Sequence, residues 1–240
     1  GPRGGINHQV FAPIIEKAFR RGKPAAVALE LNSPGGSPVQ SSLIGSQIRR
    51  LAEEKKIPVY AFVEDVAASG GYWLAVAADE IFADETSIVG SIGVISASFG
   101  LHELMEKHGV ERRVYTAGKS KSQLDPFRPE NPEDVTRLKG ILDQMHQSFI
   151  SLVQNRRGDR LSDETELFTG AFWTGAQAQE LGLIDGIGHL VPKMKEIFGK
   201  DVTFRRYGPS RSLAQRFGMS LAHDAVNAVE DRANLARYGL

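Results

Sequence analysis

Cysteine is absent from the 240-residue chain. Disulfides, thiolate nucleophiles and cysteine-ligated zinc or iron–sulfur sites are therefore excluded. The chain also lacks any run of roughly 18 consecutive apolar residues, which excludes a transmembrane helix within the printed sequence. The formal net charge at pH 7 is zero, because 29 lysines and arginines balance 29 aspartates and glutamates. The strong basic bias of a general nucleic-acid-binding protein is not present.

Metal and phosphate motifs are missing too. The six histidines form no HExxH spacing, and the chain contains neither a GxxxxGK[ST] loop nor a GxGxxG motif followed by an acid. What remains is an ordinary globular composition, 41% hydrophobic and 24% charged. The length is near the upper limit for a single hydrophobic core. We therefore expect one domain with an appendage.

Helix and strand patterns alternate through the first half of the chain. In order, they are a helix at 8–21, a strand at 25–31, a helix at 41–55, a strand at 58–63, a helix at 67–77, a strand at 80–83 and a short apolar segment at 87–94. This order predicts βαβ units and a mostly parallel sheet. Ligands bind such sheets beyond the carboxyl ends of the strands, where two glycine-rich segments of this chain lie.

The second half is predicted to contain a long helix at 132–156 and a helical tail at 211–237. We expect a main domain at 1–205 and a helical C-terminal extension at 206–240. The tail carries acidic residues on its polar face, which argues against an amphipathic membrane-surface helix and favours packing on a neighbouring subunit.

Two glycine-rich segments are candidates for chemistry. Ser69, in Ala-Ala-Ser-Gly-Gly, lies between small residues at the start of a predicted helix, whose N–H groups favour developing negative charge. Gly35 and Gly36 follow the first strand, and their N–H groups can bind an oxyanion. Taken singly, each segment has a structural alternative, a serine N-cap and a tight turn respectively.

Lys121 lies in the polar segment Gly-Lys-Ser-Lys-Ser-Gln-Leu-Asp-Pro-Phe. A lysine in such a loop is ordinarily a solvated surface residue. It can serve as a general base only if burial or a neighbouring cation favours the neutral amine.

Together these segments resemble peptidase family S49, the signal peptide peptidase A and SohB-like proteases. The resemblance spans roughly residues 25–190. It is carried in order by residues 31–36, 67–72, 77–81, 90–95, 118–121 with 125–128, 172–175, 177–178 and 182–185. Each block is weak alone, but their order and spacing are specific.

The resemblance implies an α/β fold of the ClpP/crotonase type, built of repeated βαβ-type units. It implies a Ser–Lys dyad in which Ser69 is the nucleophile and Lys121, rather than its neighbour Lys119, is the general base. Ser91 is implied to orient the lysine amine. The oxyanion donors would be the N–H of Gly70 and one from Gly35 or Gly36. No metal or cofactor is implied.

The same resemblance implies a serine endopeptidase acting on apolar peptides such as signal-peptide remnants or membrane-derived segments. Half-length bacterial members form rings, so we expect a homo-oligomer, possibly an octamer, whose dyad is completed across subunits. We expect no nucleic-acid partner, leave membrane association open, and expect a bacterial-type protein in the cytoplasm or peripheral to the inner membrane rather than secreted. The sequence opens without methionine, which leaves room for an upstream anchor.

Two alternatives remain open. One is a crotonase-type acyl-CoA hydratase or hydrolase. Such an enzyme would use the same oxyanion loops, but it normally has neither a serine at the position of Ser69 nor a lysine segment like that of Lys121. The other is a catalytically silent scaffold of a membrane complex. Labelling by a fluorophosphonate, which reacts with activated serines, would separate the peptidase from the scaffold.

Overall fold

The computed structural model describes residues 5–163, 166–209 and Tyr238. The chain divides into two compact units, one of Gly1–Gly93 with Phe149–Leu240 and one of Val94–Ser148. The helical tail predicted at 211–237 lies outside the described residues, so the boundary expected between 205 and 206 stays a prediction. No helix within the described part of the chain is both long and apolar enough to span a bilayer.

The described helices alternate with short strands, as the sequence predicts. The helices are α1 (His8–Arg20), α2 (Pro38–Lys55), α3 (Gly70–Ala75), α4 (His102–Lys107), α5 (Pro132–Arg157), α6 (Gly175–Glu180) and α7 (Leu190–Phe198), with a 3₁₀ turn at Gly158–Arg160. The strands are β1 (Val27–Ser33), β2 (Val59–Ala68), β3 (Glu80–Ala83), β4 (Ile88–Gly90), β5 (Phe172–Thr174) and β6 (Gly186–Ile187).

The six strands form one sheet organised around the long strand β2. Along one side β2 pairs with β1, and along the other it pairs first with β3 and then with β4, all in parallel. The order β5-β4-β2-β3-β6 is completed by the parallel pair β3–β6 and the antiparallel pair β4–β5. The predicted mixed α/β architecture with mostly parallel pairing is confirmed.

The core lies on both faces of β2, which explains its almost uninterrupted run of apolar residues. One face packs against α2, α3 and the end of α5 in the main hydrophobic cluster. The other face packs Tyr60 and Phe62 with Phe82 and Met194 in a smaller cluster beneath α7. Both faces are covered, so the carboxyl end of β2 is held firmly where α3 begins.

The prediction of a helix at 67–77 is wrong about where the helix begins. Ala67 and Ala68 belong to β2, and the helix begins only at Gly70. Ala67 pairs with Ser33 on one side and Val89 on the other, so strand pairing outweighs the local helix preference of alanine. The short apolar segment noted at 87–94 contains strand β4, which covers Ile88–Gly90.

A buried ion pair ties the end of α5 to the sheet. The Arg157 side chain is 2% exposed, and its Nη1 donates to Asp185 Oδ2 at 2.7 Å. The same oxygen accepts from the Ile81 N–H at 2.7 Å, and Arg160 bonds the other oxygen at 3.0 Å. Burial alone would raise the pKa of Asp185, but these hydrogen bonds and the two guanidinium charges outweigh it and lower the pKa below the ordinary value.

We expect Asp185→Asn to lower the free energy of unfolding by about 3 kcal/mol at neutral pH, because it leaves Arg157 buried without its counter-ion. The pKa of Asp185 is lower in the folded chain than in the unfolded chain, so its contribution is full above the unfolded pKa and is lost as pH falls through the folded value. Urea unfolding should therefore show a smaller difference between the two proteins at about pH 3 than at about pH 7.

The matched control is Glu54→Gln, which removes the exposed pair Arg50–Glu54 on α2. Exposed pairs contribute at most about 1 kcal/mol, so this variant should unfold almost like the parent. Equal losses in the two variants, or an Asp185→Asn effect that grows towards acid pH, would contradict this account.

The second unit, Val94–Ser148, is described by itself. It contains α4 and most of α5, and a salt bridge of 3.0 Å joins Arg112 to Asp125. The Arg112 guanidinium also lies 4.7 Å from the centre of the Phe127 ring. None of the residues in this unit is buried, and its exposed apolar side chains include Ile95, Phe99 and Tyr115.

Candidate active site

Ser69 stands at the junction between β2 and α3. Its backbone has φ +51° and ψ −120°, a combination that residues with a side chain rarely adopt. The surrounding pairing enforces it, because the Ser69 N–H donates to the Gly90 carbonyl at 2.8 Å and its own carbonyl accepts from Trp73 at 2.9 Å. Strained conformations of this kind cost about 1–3 kcal/mol and cluster at functional sites.

The Ser69 side chain does not cap the helix that follows it. Ser69 is the N-cap residue of α3, yet its hydroxyl makes no capping hydrogen bond. Ser69 is therefore an N-cap by position, as the structural alternative expects, but its side chain does not perform the capping. The hydroxyl is half-buried and uncommitted among the described residues, at the carboxyl end of the sheet.

The turn after β1 packs directly against Ser69. Gly35 has φ +115°, and a Cβ added there would lie 2.9 Å from the Ser69 Cβ and 3.0 Å from the Gly70 amide nitrogen. Only a residue without a side chain permits this approach. The close contact of two segments that are distant in sequence explains why both are rich in glycine.

The amide groups of these glycines differ in availability. The Gly35 N–H donates to the Ser33 Oγ at 3.2 Å. Neither the Gly36 N–H nor the Gly70 N–H meets a hydrogen-bond acceptor within the described residues. These two groups are also near one another, since a Cβ added at Gly70 would lie 3.1 Å from the Gly36 nitrogen. Two free amides beside a serine can bind a developing oxyanion.

We expect Gly35→Ala to lower kcat/KM for a peptide substrate by about 100-fold. The new methyl group would displace Ser69, and the alanine backbone would have to keep a φ of +115°, which residues with a side chain disfavour. The matched control is Gly140→Ala in α5, where a Cβ has no neighbour within 4 Å. That variant should keep its activity. Full activity in a Gly35→Ala protein that unfolds like the parent would contradict the close packing described here.

Ser91 lies directly after β4, close to the same site. Its backbone φ is +53°, and its N–H donates to the Ala171 carbonyl at 2.7 Å. Trp173 on β5 fills the space beside Gly90, where an added Cβ would come 2.8 Å from the indole ring. The antiparallel pair β4–β5 thus fixes Ser91 next to the segment that bonds Ser69.

Lys121 lies in the second unit, in the turn at 119–124. Its N–H donates to the Gly118 carbonyl at 3.2 Å, and its side chain is exposed. Lys119 is exposed as well. The two serines and the glycines of the predicted site are thus brought together within the first unit, while the lysine belongs to the other.

Three contacts at the site were not found by sequence reasoning. Ile6 covers the outer side of Gly36 and Gly70, within 3.4–3.6 Å of a Cβ added to either glycine. Phe172, 44% exposed, and Tyr238 lie near Ser91. Phe172 falls in a conspicuous sequence block, but no local pattern distinguishes Ile6 or Tyr238 from other surface residues.

A cleft of about 700 Å³ in the first unit is lined by residues at the end of α5 and between positions 158 and 169, and no candidate site residue lines it. Among the residues that the structure describes, no three acidic or histidine side chains converge as metal ligands would.

Comparison with known proteins identifies the family. Residues 51–197 match the model of the family described as Peptidase family S49, which is more than half of the chain. The chain belongs to peptidase family S49. The matched region contains Ser69, Ser91 and Lys121, so the resemblance inferred from the motifs is confirmed.

Relatives of this S49 chain include proteins named as proteases. It is 33% identical over 207 residues to the Probable protease SohB of Haemophilus influenzae, covering 85% of this chain and 57% of that protein. It is 33% identical over 187 residues to the Putative signal peptide peptidase SppA of Enterococcus faecium, covering 78% and 54%. These names describe one relative as a protease and the other as a signal peptide peptidase, in agreement with membership of peptidase family S49.

A further relative has an unrelated name. The chain is 49% identical over 245 residues to a Brucella melitensis protein called Na(+)/H(+) antiporter NhaA, covering 95% of this chain but 33% of that protein. The S49 chain therefore spans between a third and three-fifths of the length of the three relatives described here.

Proposed function

We propose that this chain is a serine endopeptidase that uses a Ser69–Lys121 dyad within a ClpP/crotonase-like fold. The observation that carries the proposal is the geometry of Ser69. Within the described residues its hydroxyl has no hydrogen-bond partner, and its backbone is held in a strained conformation beside the Gly36 and Gly70 amides, which meet no acceptor there either. Membership of peptidase family S49 supports the reaction class.

The proposed reaction begins with attack of the Ser69 oxygen on the carbonyl carbon of a peptide bond. The serine proton passes to the neutral amine of Lys121, since serine is a weak nucleophile without an adjacent base. The lysine then gives this proton to the departing amine, which leaves an acyl-enzyme. Water hydrolyses that ester by the same proton transfers and regenerates Ser69.

The oxyanion formed during attack is proposed to bind the N–H groups of Gly70 and Gly36. The sequence left Gly35 and Gly36 as equal candidates. The hydrogen bond between the Gly35 N–H and Ser33 favours Gly36, because a donor already satisfied in the free enzyme contributes less to the transition state. Removing one such donor typically costs about 2.7–4 kcal/mol of activation free energy.

Ser91 is proposed to hold the lysine amine in position through its hydroxyl. This role is supported by the position of Ser91 directly after Gly90, the last residue of β4, whose carbonyl accepts a hydrogen bond from the Ser69 N–H. The proposed substrates are extended apolar peptides, such as signal-peptide remnants or membrane-derived segments. This follows from the name of the Enterococcus relative and from the family resemblance.

Assembly into a ring of identical subunits, possibly an octamer, is proposed to complete the dyad, with Lys121 reaching Ser69 of a neighbouring subunit. The exposure of Ile95, Phe99 and Tyr115 in a unit with no buried residue supports burial of that unit against another copy. Co-expression of the Ser69→Ala and Lys121→Ala chains tests this, since mixed rings would contain complete sites. Recovery of activity supports the trans dyad, and a fully active monodisperse monomer in light scattering excludes it.

A fluorophosphonate probe tests the activity itself. The Ser69 oxygen displaces fluoride from phosphorus, and the covalent adduct is located by peptide mass spectrometry. We expect labelling at Ser69, with loss of hydrolysis of an apolar fluorogenic peptide in proportion to labelling. If the folded protein takes up no label and cleaves no peptide, the proposed function is wrong.

A further inference from the structure

Ser41 carries a buried hydroxyl that the proposed reaction does not use. The residue lies in the first turn of α2, and its exposed fraction is 0%. Its hydroxyl donates a hydrogen bond to the Ser37 carbonyl at 3.3 Å, which is longer than the common value of about 2.8 Å for a hydroxyl donor. That carbonyl already accepts the Ser41 N–H at 3.1 Å. The bond is therefore both weak and redundant.

Helix stability does not explain a serine at this position. Burial of a hydroxyl that makes one weak hydrogen bond is less favourable than burial of the methyl group of alanine. A serine that bonds back to the carbonyl four residues earlier also tends to weaken and bend its helix. The reason for this side chain must lie in what its oxygen contacts outside α2.

The Ser41 oxygen lies against Gly70, one of the two candidate oxyanion donors. A Cβ added at Gly70 would lie 2.5 Å from the Ser41 Oγ, a distance that real Cβ atoms do not adopt. The same Cβ would lie 3.1 Å from the Gly36 nitrogen and 3.4 Å from the Ile6 Cδ1. The Ser41 oxygen and the Gly36 amide thus border one small space at the Gly70 α-carbon, and Ile6 closes its outer side.

The hydroxyl therefore contacts both segments that supply the candidate donors. Its hydrogen-bond partner Ser37 directly follows Gly36 in the chain, and its oxygen packs on Gly70. An oxyanion is stabilised only when both N–H groups lie about 2.7–3.1 Å from the position that it will occupy. A side chain that sets the spacing of these two segments therefore affects the reaction without reaching the substrate.

We propose that Ser41 is a positioning residue for oxyanion binding, and that its hydroxyl fixes the spacing between the Gly36 and Gly70 N–H groups. The proposal rests on the peptidase function proposed above, because it concerns the oxyanion formed by attack of Ser69. Loss of the hydroxyl weakens binding of the transition state and leaves binding of the substrate unchanged.

Hydrolysis of the apolar fluorogenic peptide by Ser41→Ala tests this role. We expect kcat to fall about tenfold while KM stays within about twofold of the parent value. The fall is smaller than the loss of about 10²–10³-fold that follows removal of a donor, because both N–H groups remain and only their alignment changes. The matched control is Ser46→Ala, which removes an exposed serine from the same helix and should leave kcat and KM unchanged.

A pair of inhibitors separates the oxyanion from substrate binding. With a peptide aldehyde, the Ser69 oxygen bonds to the aldehyde carbon, the π electrons of the C=O bond move to its oxygen, and the serine proton passes to the proposed base. The corresponding peptide alcohol cannot form this adduct. Ser41→Ala should bind the aldehyde more weakly by the same factor as kcat falls, and should bind the alcohol like the parent. Equal weakening for both inhibitors, or a fall in kcat without weaker aldehyde binding, would contradict the proposal.

Urea unfolding separates positioning from a purely structural role. Because the weakly bonded hydroxyl contributes little to folding, Ser41→Ala should unfold at the denaturant concentration of the parent or slightly above it. Ser41→Cys is a second variant, since its thiol fills a similar volume but is a weak hydrogen-bond donor. It should show the same fall in kcat. If both variants lose activity only together with stability, the role of Ser41 is structural and the proposal is wrong.

A double variant tests the contact with Gly70 itself. Gly70→Ala keeps the N–H group, but its new methyl group would collide with the Ser41 oxygen and lower the activity. Adding Ser41→Ala removes that oxygen, so the double variant should be more active than the product of the two single losses. Losses that simply multiply would show that the two residues act independently, against the proposal.

The behaviour of the parent protein distinguishes this inference from the proposed function. If the folded parent takes up no fluorophosphonate and cleaves no peptide, the peptidase function is wrong and the role of Ser41 falls with it. If the parent is labelled at Ser69 but Ser41→Ala keeps the parent values of kcat and aldehyde affinity, the peptidase function stands and the role of Ser41 alone is overturned.

Discussion

Replacing Ser69 with alanine should lower kcat/KM for an apolar peptide by about 10⁴-fold or more and abolish fluorophosphonate labelling. Loss of the nucleophile in serine peptidases leaves only the contribution of the oxyanion groups and of binding. Alanine keeps the Cβ, so the strained φ of +51° is unchanged and the variant should unfold at the same denaturant concentration as the parent.

The matched control is Ser46→Ala, which removes an exposed serine from α2. It should retain full activity and labelling. If Ser69→Ala kept measurable turnover after contaminating proteases had been excluded by affinity repurification, Ser69 would not be the nucleophile. If it lost activity and also unfolded far more easily, the loss would report structure rather than chemistry.

Replacing Lys121 with alanine should lower kcat/KM by about 10³-fold or more while leaving assembly unchanged. General base catalysis contributes about 10²–10⁴-fold, and serine without a base is a poor nucleophile. The measurement is kcat/KM for each variant and the parent, with the size of the assembly checked by light scattering.

Two companion variants distinguish a base from a simple positive charge. Lys121→Arg keeps the charge, but a guanidinium is not deprotonated in proteins, so this variant should be as inactive as Lys121→Ala. Lys119→Ala removes the neighbouring exposed lysine and should stay active. Substantial activity in Lys121→Arg would assign an electrostatic role to this position. Full activity in Lys121→Ala, with loss in Lys119→Ala, would move the base to Lys119.

Much of the first unit could be predicted from local sequence. The apolar run of β2 and the alternation of strands with helices indicated a mostly parallel sheet, because a strand covered on both faces needs apolar residues throughout. The two glycine-rich turns could also be predicted from local sequence, because close approach of two backbones requires residues without side chains. The end of β2 was misplaced because two alanines carry no local signal that outweighs helix preference, and only pairing with β1 and β4 makes them strand.

The sequence by itself therefore determined the family, the mixed α/β architecture and the identity of the candidate serine, because these depend on local patterns and motif order. The tertiary structure decided how that serine is presented. The strained backbone of Ser69 is held by pairing with Gly90, the Gly35 N–H is occupied by a hydrogen bond to Ser33, and β5 comes beside Ser91 only through its antiparallel pairing with β4. Each of these is a contact between residues distant in sequence or a competition for one hydrogen-bond donor, and local composition encodes neither.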